Sequence, residues 1–325
     1  MVTPTRRPPY PVCKTPCDRQ ARPACLRCGA VPVAARSLHR QLSGGCMTTI
    51  ALGIVLFSAF LHAGWNALLK AVDDRAGVLG AVSFAHALAG VVLISVSPVP
   101  AMASWPSIAV STLVHYLYYL LLFRAYRHGD LSQVYPISRG LAPAFVAFSA
   151  WLLIGETLEP LAVAGLVAIT AGIGLLALQR GAATAPRSTV GFAVLLGVCI
   201  GIYSTADGIG IRLAETATGY MGWLFLLEAP VPLAIALHRR RKGGHFAPRT
   251  LVLGLLGGAA AVTAYGLVLY VKTIAPLGAV SAVRESSVII AALIGVFFFG
   301  ERPWQGRILA ACVVALGVVA LSWAG

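Results

Sequence analysis

From Met47 onward, the chain alternates between long apolar stretches and short polar connections. The stretches are about 18–25 residues long, the length that an α-helix needs to cross a bilayer. The pattern therefore predicts an all-α polytopic membrane protein with ten transmembrane helices. The predicted spans are 48–70, 76–97, 107–126, 132–155, 159–179, 189–211, 218–238, 250–272, 277–300 and 304–324.

The second half of the chain repeats the first. A shift of 145 residues places the third to fifth spans on the eighth to tenth, and it aligns Arg139 with Arg284 and Gly155-Glu156 with Gly300-Glu301. The chain therefore consists of two five-helix units. Because five is odd, the second unit enters the membrane from the opposite face, which gives an inverted-topology repeat, a pattern typical of transporters.

Composition supports a lipid environment. Hydrophobic residues make up 58% of the chain and charged residues only 11%, whereas a soluble domain carries about 25% charged residues. The net charge of +14 does not indicate nucleic-acid binding, because half of it lies in residues 1–46, which hold 8 basic residues and 1 acidic residue. The basic residues of the remainder lie mostly between apolar spans, as in cytoplasmic loops.

Residues 1–46 are rich in Arg and Pro and lack a hydrophobic region. We expect them to be disordered, or to precede a true start at Met47. The spacing of Cys13, Cys17, Cys25 and Cys28 is only permissive for zinc, so no metal or cofactor is predicted. The predicted domains are this extension, a first repeat at 47–180 and a second repeat at 188–325.

Two arginines are the leading candidates for a substrate site, because charged side chains within spans are costly and usually functional. Arg139 and Arg284 are each the eighth residue of their predicted spans, the fourth and the ninth. Since these spans start from opposite faces, the two guanidiniums approach the midplane from either side. They could cradle a carboxylate or phosphonate, or each could pair with an internal acid and stabilise helix packing.

Two acids are candidates for proton coupling. Glu228 lies near the middle of the seventh span and is followed by Pro230 and Pro232, which free backbone carbonyls and predict a broken helix. Asp207, towards the end of the sixth span, is the second candidate. Pro143 predicts a similar break next to Arg139.

Polar and aromatic residues form stripes on three spans. His62, Trp65 and Asn66 lie at i, i+3 and i+4, and therefore on one face of the first span. Tyr119 in the third span and Tyr203 in the sixth belong to similar stripes. These residues are predicted to line a substrate cavity. The alternative is that they form contacts between helices or lie at the membrane–water interface.

The segment Leu61-His-Ala-Gly-Trp-Asn-Ala-Leu-Leu-Lys70, the two Gly-Glu dipeptides and the 5+5 duplication resemble the EamA-type permeases of the drug/metabolite transporter superfamily. The resemblance extends over residues 47–325. It implies a carrier rather than an enzyme, in a superfamily that includes exporters of amino acids, drugs and other metabolites.

The predicted function is therefore a secondary transporter, by preference an exporter, of a small polar or anionic metabolite across the cytoplasmic membrane. It would work by alternating access, with proton coupling as an option, as a monomer or homodimer in the lipid bilayer. The alternatives are an integral membrane enzyme and a passive channel. The loop charges place both termini outside, whereas the resemblance implies that both termini are cytoplasmic.

Overall fold

The computed structural model describes residues 47–70, 74–128, 131–179, 186–241, 247–299 and 304–324. These residues form twelve α-helices and one short 3-10 helix, and they contain no strand. The extension 1–46, its cysteines and the Gly300-Glu301 dipeptide lie outside the described residues. In chain order the helices are α1 Thr49–Lys70, α2 Arg75–Val96, the 3-10 helix Met102–Ser104, α3 Trp105–His128, α4 Leu131–Ile154, α5 Pro160–Gln179, α6 Arg187–Leu213, α7 Ala217–Glu228, α8 Pro230–Arg241, α9 Pro248–Lys272, α10 Leu277–Glu285, α11 Ser287–Phe299 and α12 Trp304–Trp323.

The ten predicted spans are all confirmed as helices or helix pairs. Helices α7 and α8 together form the seventh span, and α10 and α11 form the ninth. Within the described ranges, nine segments are long and apolar enough to cross a membrane. The remaining segment, α3, has 24 residues and therefore sufficient length, but its polar and aromatic side chains lower its hydropathy.

The helix contacts show the two-fold relation that the repeat predicts. Helix α1 packs against α9, and α6 packs against α3. These two contacts are equivalent, because α1 corresponds to α6 and α3 corresponds to α9 in the repeat. Likewise α6 packs against α4, while α1 packs against α10 and α11. The contacts of α2 with α7 and of α5 with α12 join equivalent helices across the pseudo-two-fold axis.

Glycines allow the closest of these approaches. A Cβ added to Gly165 of α5 would lie 2.7 Å from the Gly317 carbonyl oxygen of α12, and a Cβ on Gly317 would lie 2.7 Å from the Gly165 carbonyl oxygen. No real Cβ tolerates such a distance to a backbone atom. The two backbones can therefore pack directly together, as small residues allow in membrane helices.

Two spans are interrupted in their interiors. The seventh span breaks after Glu228, as the prolines predict, and the Tyr116 hydroxyl donates a hydrogen bond to the Leu227 carbonyl there. The ninth span breaks at Ser286 without any proline.

The break predicted at Pro143 is wrong. Helix α4 continues through both Pro136 and Pro143. A proline removes one backbone hydrogen bond, and the packing of α4 against α5, α6 and α10 keeps it helical nonetheless.

Candidate functional site

The two repeat-related arginines meet at one carboxylate. Arg139 of α4 donates from Nη1 to Glu285 Oε1 over 2.8 Å, and Arg284 Nη1 lies 3.5 Å from the same oxygen. Arg139 also donates from Nη2 to Nε2 of His62 on α1. Arg139 is 5% exposed and Arg284 is 8% exposed. Three helices from both repeats thus bring their charged and polar groups to one buried point.

This geometry has features of both interpretations of the arginines, the anion cradle and the packing pair. The guanidiniums do approach each other across the repeats, as the cradle requires. An internal acid also lies between them, as the packing alternative requires, and that acid is Glu285 at the end of α10.

Arg284 is oriented by an aromatic ring. Its guanidinium carbon lies 5.3 Å from the centroid of the Tyr265 ring on α9, a stacking that suits the planar guanidinium. The Tyr265 hydroxyl donates to Asp207 Oδ2 on α6. The ring is therefore held from a third helix.

Asp207 is fully buried, and both of its oxygens accept hydrogen bonds. Tyr220 of α7 donates to Oδ1 over 3.0 Å, and Tyr265 donates to Oδ2. The carboxylate thereby joins α6, α7 and α9 in the protein interior.

Glu228 lies at the break of the seventh span and faces a histidine. Its Oε1 is 3.2 Å from Nδ1 of His115 on α3, and both side chains are buried. The His115 ring packs against the Tyr203 ring with centroids 3.9 Å apart. A titratable pair is thus placed in the interior, next to a backbone that is not continuously helical.

The remaining predicted site residues lie at the edges of this group. Trp65 contacts the His62 ring edge-on, with centroids 5.5 Å apart. Tyr119 lies 6.4 Å from His115 by ring centroids. Asn66 donates its amide to the His62 carbonyl of its own helix over 2.6 Å, so the contact shown for Asn66 is local.

Sequence reasoning missed a buried lysine. Lys272, the last residue of α9, has no exposed surface, and its Nζ donates to the carbonyl and the hydroxyl of Ser204 on α6 over 2.8 and 2.9 Å. Lys272 is the last residue of the predicted span 250–272, and sequence reasoning did not include it among the charged residues inside the membrane. The repeat offered a signal, because the same shift of 145 residues pairs Lys272 with another basic residue, Arg127.

A second missed cluster lies where α4, α6 and α9 end. Gly155 ends α4 with a positive φ of 68°, which glycine adopts at no steric cost. Arg212 of α6 then donates to Glu156 Oε2 over 3.1 Å and to the carbonyls of Lys272 and Ala275.

Glu156 also caps a helix of the other repeat. Its Oε1 accepts a hydrogen bond from the Leu277 backbone N–H at the start of α10, over 2.5 Å. Burial raises the pKa of Glu156, and the neighbouring Arg212 guanidinium opposes that rise.

Comparison with known proteins decides the family. The model of the EamA-like transporter family matches the chain twice, at residues 49–178 and 187–323. The chain belongs to this family. It is therefore a multi-pass membrane transporter of the drug/metabolite transporter superfamily, as its repeats and motifs suggested.

Structural comparison agrees with the fold of this EamA-like transporter. One solved structure, described only as the crystal structure of a protein, superposes with a TM-score of 0.66 at 17% identity. It covers 85% of this chain and 97% of its own. At this identity the likeness shows the fold alone. No curated protein matches the EamA-like transporter.

The interior of the EamA-like transporter contains both basic and acidic side chains. Arg139, Arg284 and Lys272 face the same region as Glu285, Asp207 and Glu228. Such a set can exchange partners with an entering anion or proton, because an added charge can be compensated by a change in internal pairing. Among the described residues, no group of three His, Cys, Asp or Glu side chains is placed to hold a metal ion.

Proposed function

We propose that this protein is a secondary transporter that exports a small polar or anionic metabolite across the cytoplasmic membrane by alternating access. One observation carries the proposal: Arg139 of the first repeat and Arg284 of the second converge on Glu285 in the buried interior. The direction is proposed from the resemblance to a superfamily that includes exporters.

The energetic cost of the cluster supports a functional role. Charged groups within membrane spans are rare and mark substrate or ion pathways, because each must be compensated inside the protein. A packing contact between two helices needs no third charge. Here two cations share one carboxylate oxygen, and an anionic substrate would supply the second negative charge that balances them.

The interrupted spans support alternating access. The breaks at Ala229 and Ser286 follow Glu228 and Glu285 directly, so the two acids lie where the helices are discontinuous. Substrate and ion sites of secondary transporters with inverted repeats lie at such discontinuous helices, and one repeat moves against the other around the site. The same geometry would let a bound anion reach either face.

The test begins with metabolite profiling of cells that contain or lack the gene, followed by transport of the strongest anionic hits into proteoliposomes. We expect saturable uptake and counterflow from the wild-type protein. A passive channel would give flux without counterflow, and that result would exclude a carrier.

Arg284→Gln provides the site test, with Arg249→Gln as the matched control. Arg249 lies in the first turn of α9 and is exposed, whereas Arg284 is buried. We expect counterflow of an anionic hit to fall by at least about tenfold in Arg284→Gln, since a charge-assisted contact is lost, and to be unchanged in Arg249→Gln. Equal activity of both variants would remove Arg284 from the substrate site.

A further inference from the structure

Arg139 and Arg284 are equivalent in the repeat but differ in their contacts. Arg139 is held on two sides, by Glu285 at 2.8 Å and by the His62 ring. Arg284 lies 3.5 Å from the same carboxylate oxygen, and it makes no hydrogen bond to any residue that the structure describes.

The state of Arg284 is unusual for a buried guanidinium. This group carries five N–H donors and always keeps its charge, and its residue is only 8% exposed. Removing such donors from water without hydrogen-bond partners is costly. The Tyr265 ring covers one face of the guanidinium but accepts none of its planar N–H bonds. The donors of Arg284 are therefore available to a ligand or to water.

We propose that Arg284 alone binds the anionic group of the substrate, whereas Arg139 is a positioning residue that holds Glu285 in a 2.8 Å hydrogen bond and so keeps the ion pair between Glu285 and Arg284 long, at 3.5 Å. The inference rests on the proposed transport of an anionic metabolite and divides the roles within that site. The ligand class is a carboxylate or phosphonate, whose paired oxygens match the planar fork of the guanidinium.

Glu285 is a potential competitor of the substrate for Arg284, which is why the two arginines need different roles. It is the chain neighbour of Arg284, and its Oε1 is already within 3.5 Å of that guanidinium. If the 2.8 Å hydrogen bond from Arg139 were lost, Arg284 would be the cation nearest to the carboxylate. Glu285 would then form a closer ion pair with Arg284 and compete with the substrate anion.

The experiment measures anion binding by thermal unfolding of the purified full chain, titrated with methylphosphonate and L-lactate as probes. A ligand that binds only the folded state adds RT ln(1 + [L]/Kd) to the free energy of unfolding and so raises the midpoint of unfolding, and the dependence on probe concentration gives the Kd. The variants are Arg139→Gln, Arg284→Gln and Glu285→Gln, and the two doubles that combine Glu285→Gln with each arginine change. Arg249→Gln is the control.

The predicted pattern is a selective rescue. Arg139→Gln raises the Kd of the probes by about tenfold, because the freed carboxylate competes. Adding Glu285→Gln restores it, since the competitor is then neutral. Glu285→Gln alone binds the probes more tightly than the wild type does. Arg284→Gln abolishes stabilisation by the probes, and Glu285→Gln does not restore it.

Three outcomes overturn the proposal: failure of Glu285→Gln to rescue Arg139→Gln, rescue of Arg284→Gln by Glu285→Gln, or no stabilisation of the wild type by either probe. If Arg139→Gln fails to fold, Arg139→Lys replaces it. A lysine there still pairs with Glu285 and is expected to retain binding, whereas Arg284→Lys loses it because an ammonium lacks the planar fork. Transport in proteoliposomes together with a failed rescue would overturn the division of roles while leaving the proposed function intact.

Discussion

At the scale of single residues, the buried carboxylates differ in the hydrogen bonds that their oxygens accept. Both oxygens of Asp207 accept tyrosine hydrogen bonds. Glu228 Oε1 lies 3.2 Å from His115 Nδ1, but this oxygen accepts no hydrogen bond from any described group. Glu228 is therefore less constrained by its partners than Asp207, and this difference favours it as the group that exchanges a proton.

We expect Glu228→Gln to eliminate proton-driven accumulation and to preserve substrate-for-substrate exchange, because the neutral amide imitates the protonated acid. The measurement is a pair of proteoliposome assays, one with an imposed pH gradient and one with counterflow. Asp207→Asn is the comparison variant, and it is expected to reduce both activities, since two tyrosine hydrogen bonds are weakened. Gradient-driven accumulation by Glu228→Gln would exclude Glu228 as the essential proton carrier.

The internal repeat in the sequence was enough to single out Arg139 and Arg284, because charge deep within a span is rare and the two positions are equivalent. The position of Glu285 between them was not predicted. It follows Arg284 directly, and adjacent residues on a regular helix point in different directions. Helix α10 ends at Glu285, and the sequence does not signal that end.

At the scale of helices, hydropathy predicted every span within three residues of its observed ends, because lipid requires apolar side chains over a fixed length. The interruptions were harder to predict. Prolines indicated the break after Glu228 correctly, but they indicated one in α4 that does not occur and left the break at Ser286 unmarked. Helix continuity in the interior depends on the neighbours that pack against it.

The ends of α4, α6 and α9 are joined by the buried pair of Glu156 and Arg212. Removing one partner of a buried pair leaves an uncompensated charge, so we expect Glu156→Gln and Arg212→Gln each to reduce the free energy of unfolding by about 3 kcal/mol. The double variant should lose less than the sum of the two.

The measurement is a double-mutant cycle on the detergent-purified protein, by thermal or denaturant unfolding. Glu159→Gln is the control, because Glu159 lies in the same loop and no ion pair or hydrogen bond of its side chain is found among the described residues. Strictly additive losses would show that Glu156 and Arg212 stabilise the protein independently.

At the scale of the whole molecule, the two membrane faces differ in charge. The described loops on the face where α4 and α6 end are 97–104, 155–159, 214–216 and 273–276, and they contain acids and no Lys or Arg. On the opposite face the described ends of α8 and α9 carry exposed arginines, which are Arg239, Arg240, Arg241 and Arg249. Cytoplasmic loops are enriched in Lys and Arg.

We therefore expect the arginine-rich face to be cytoplasmic. Val99→Cys and Arg240→Cys, each in a variant without native cysteines, place one thiol on each face, and both positions are exposed. A membrane-impermeant maleimide should label Val99→Cys in intact cells and Arg240→Cys only after permeabilisation. The reverse pattern would place both termini in the cytoplasm.

The position of Glu285 also bears on how such a molecule can arise. The shift of 145 residues that pairs Arg139 with Arg284 pairs Glu285 with Gly140. Two separate copies of one ancestral five-helix subunit would have to carry the same residue at both positions, giving either two acids or none. Once both copies are encoded in a single gene, one can gain an acid that the other lacks. A lone carboxylate between twin arginines is thus accessible to a fused chain and inaccessible to a homodimer of either half.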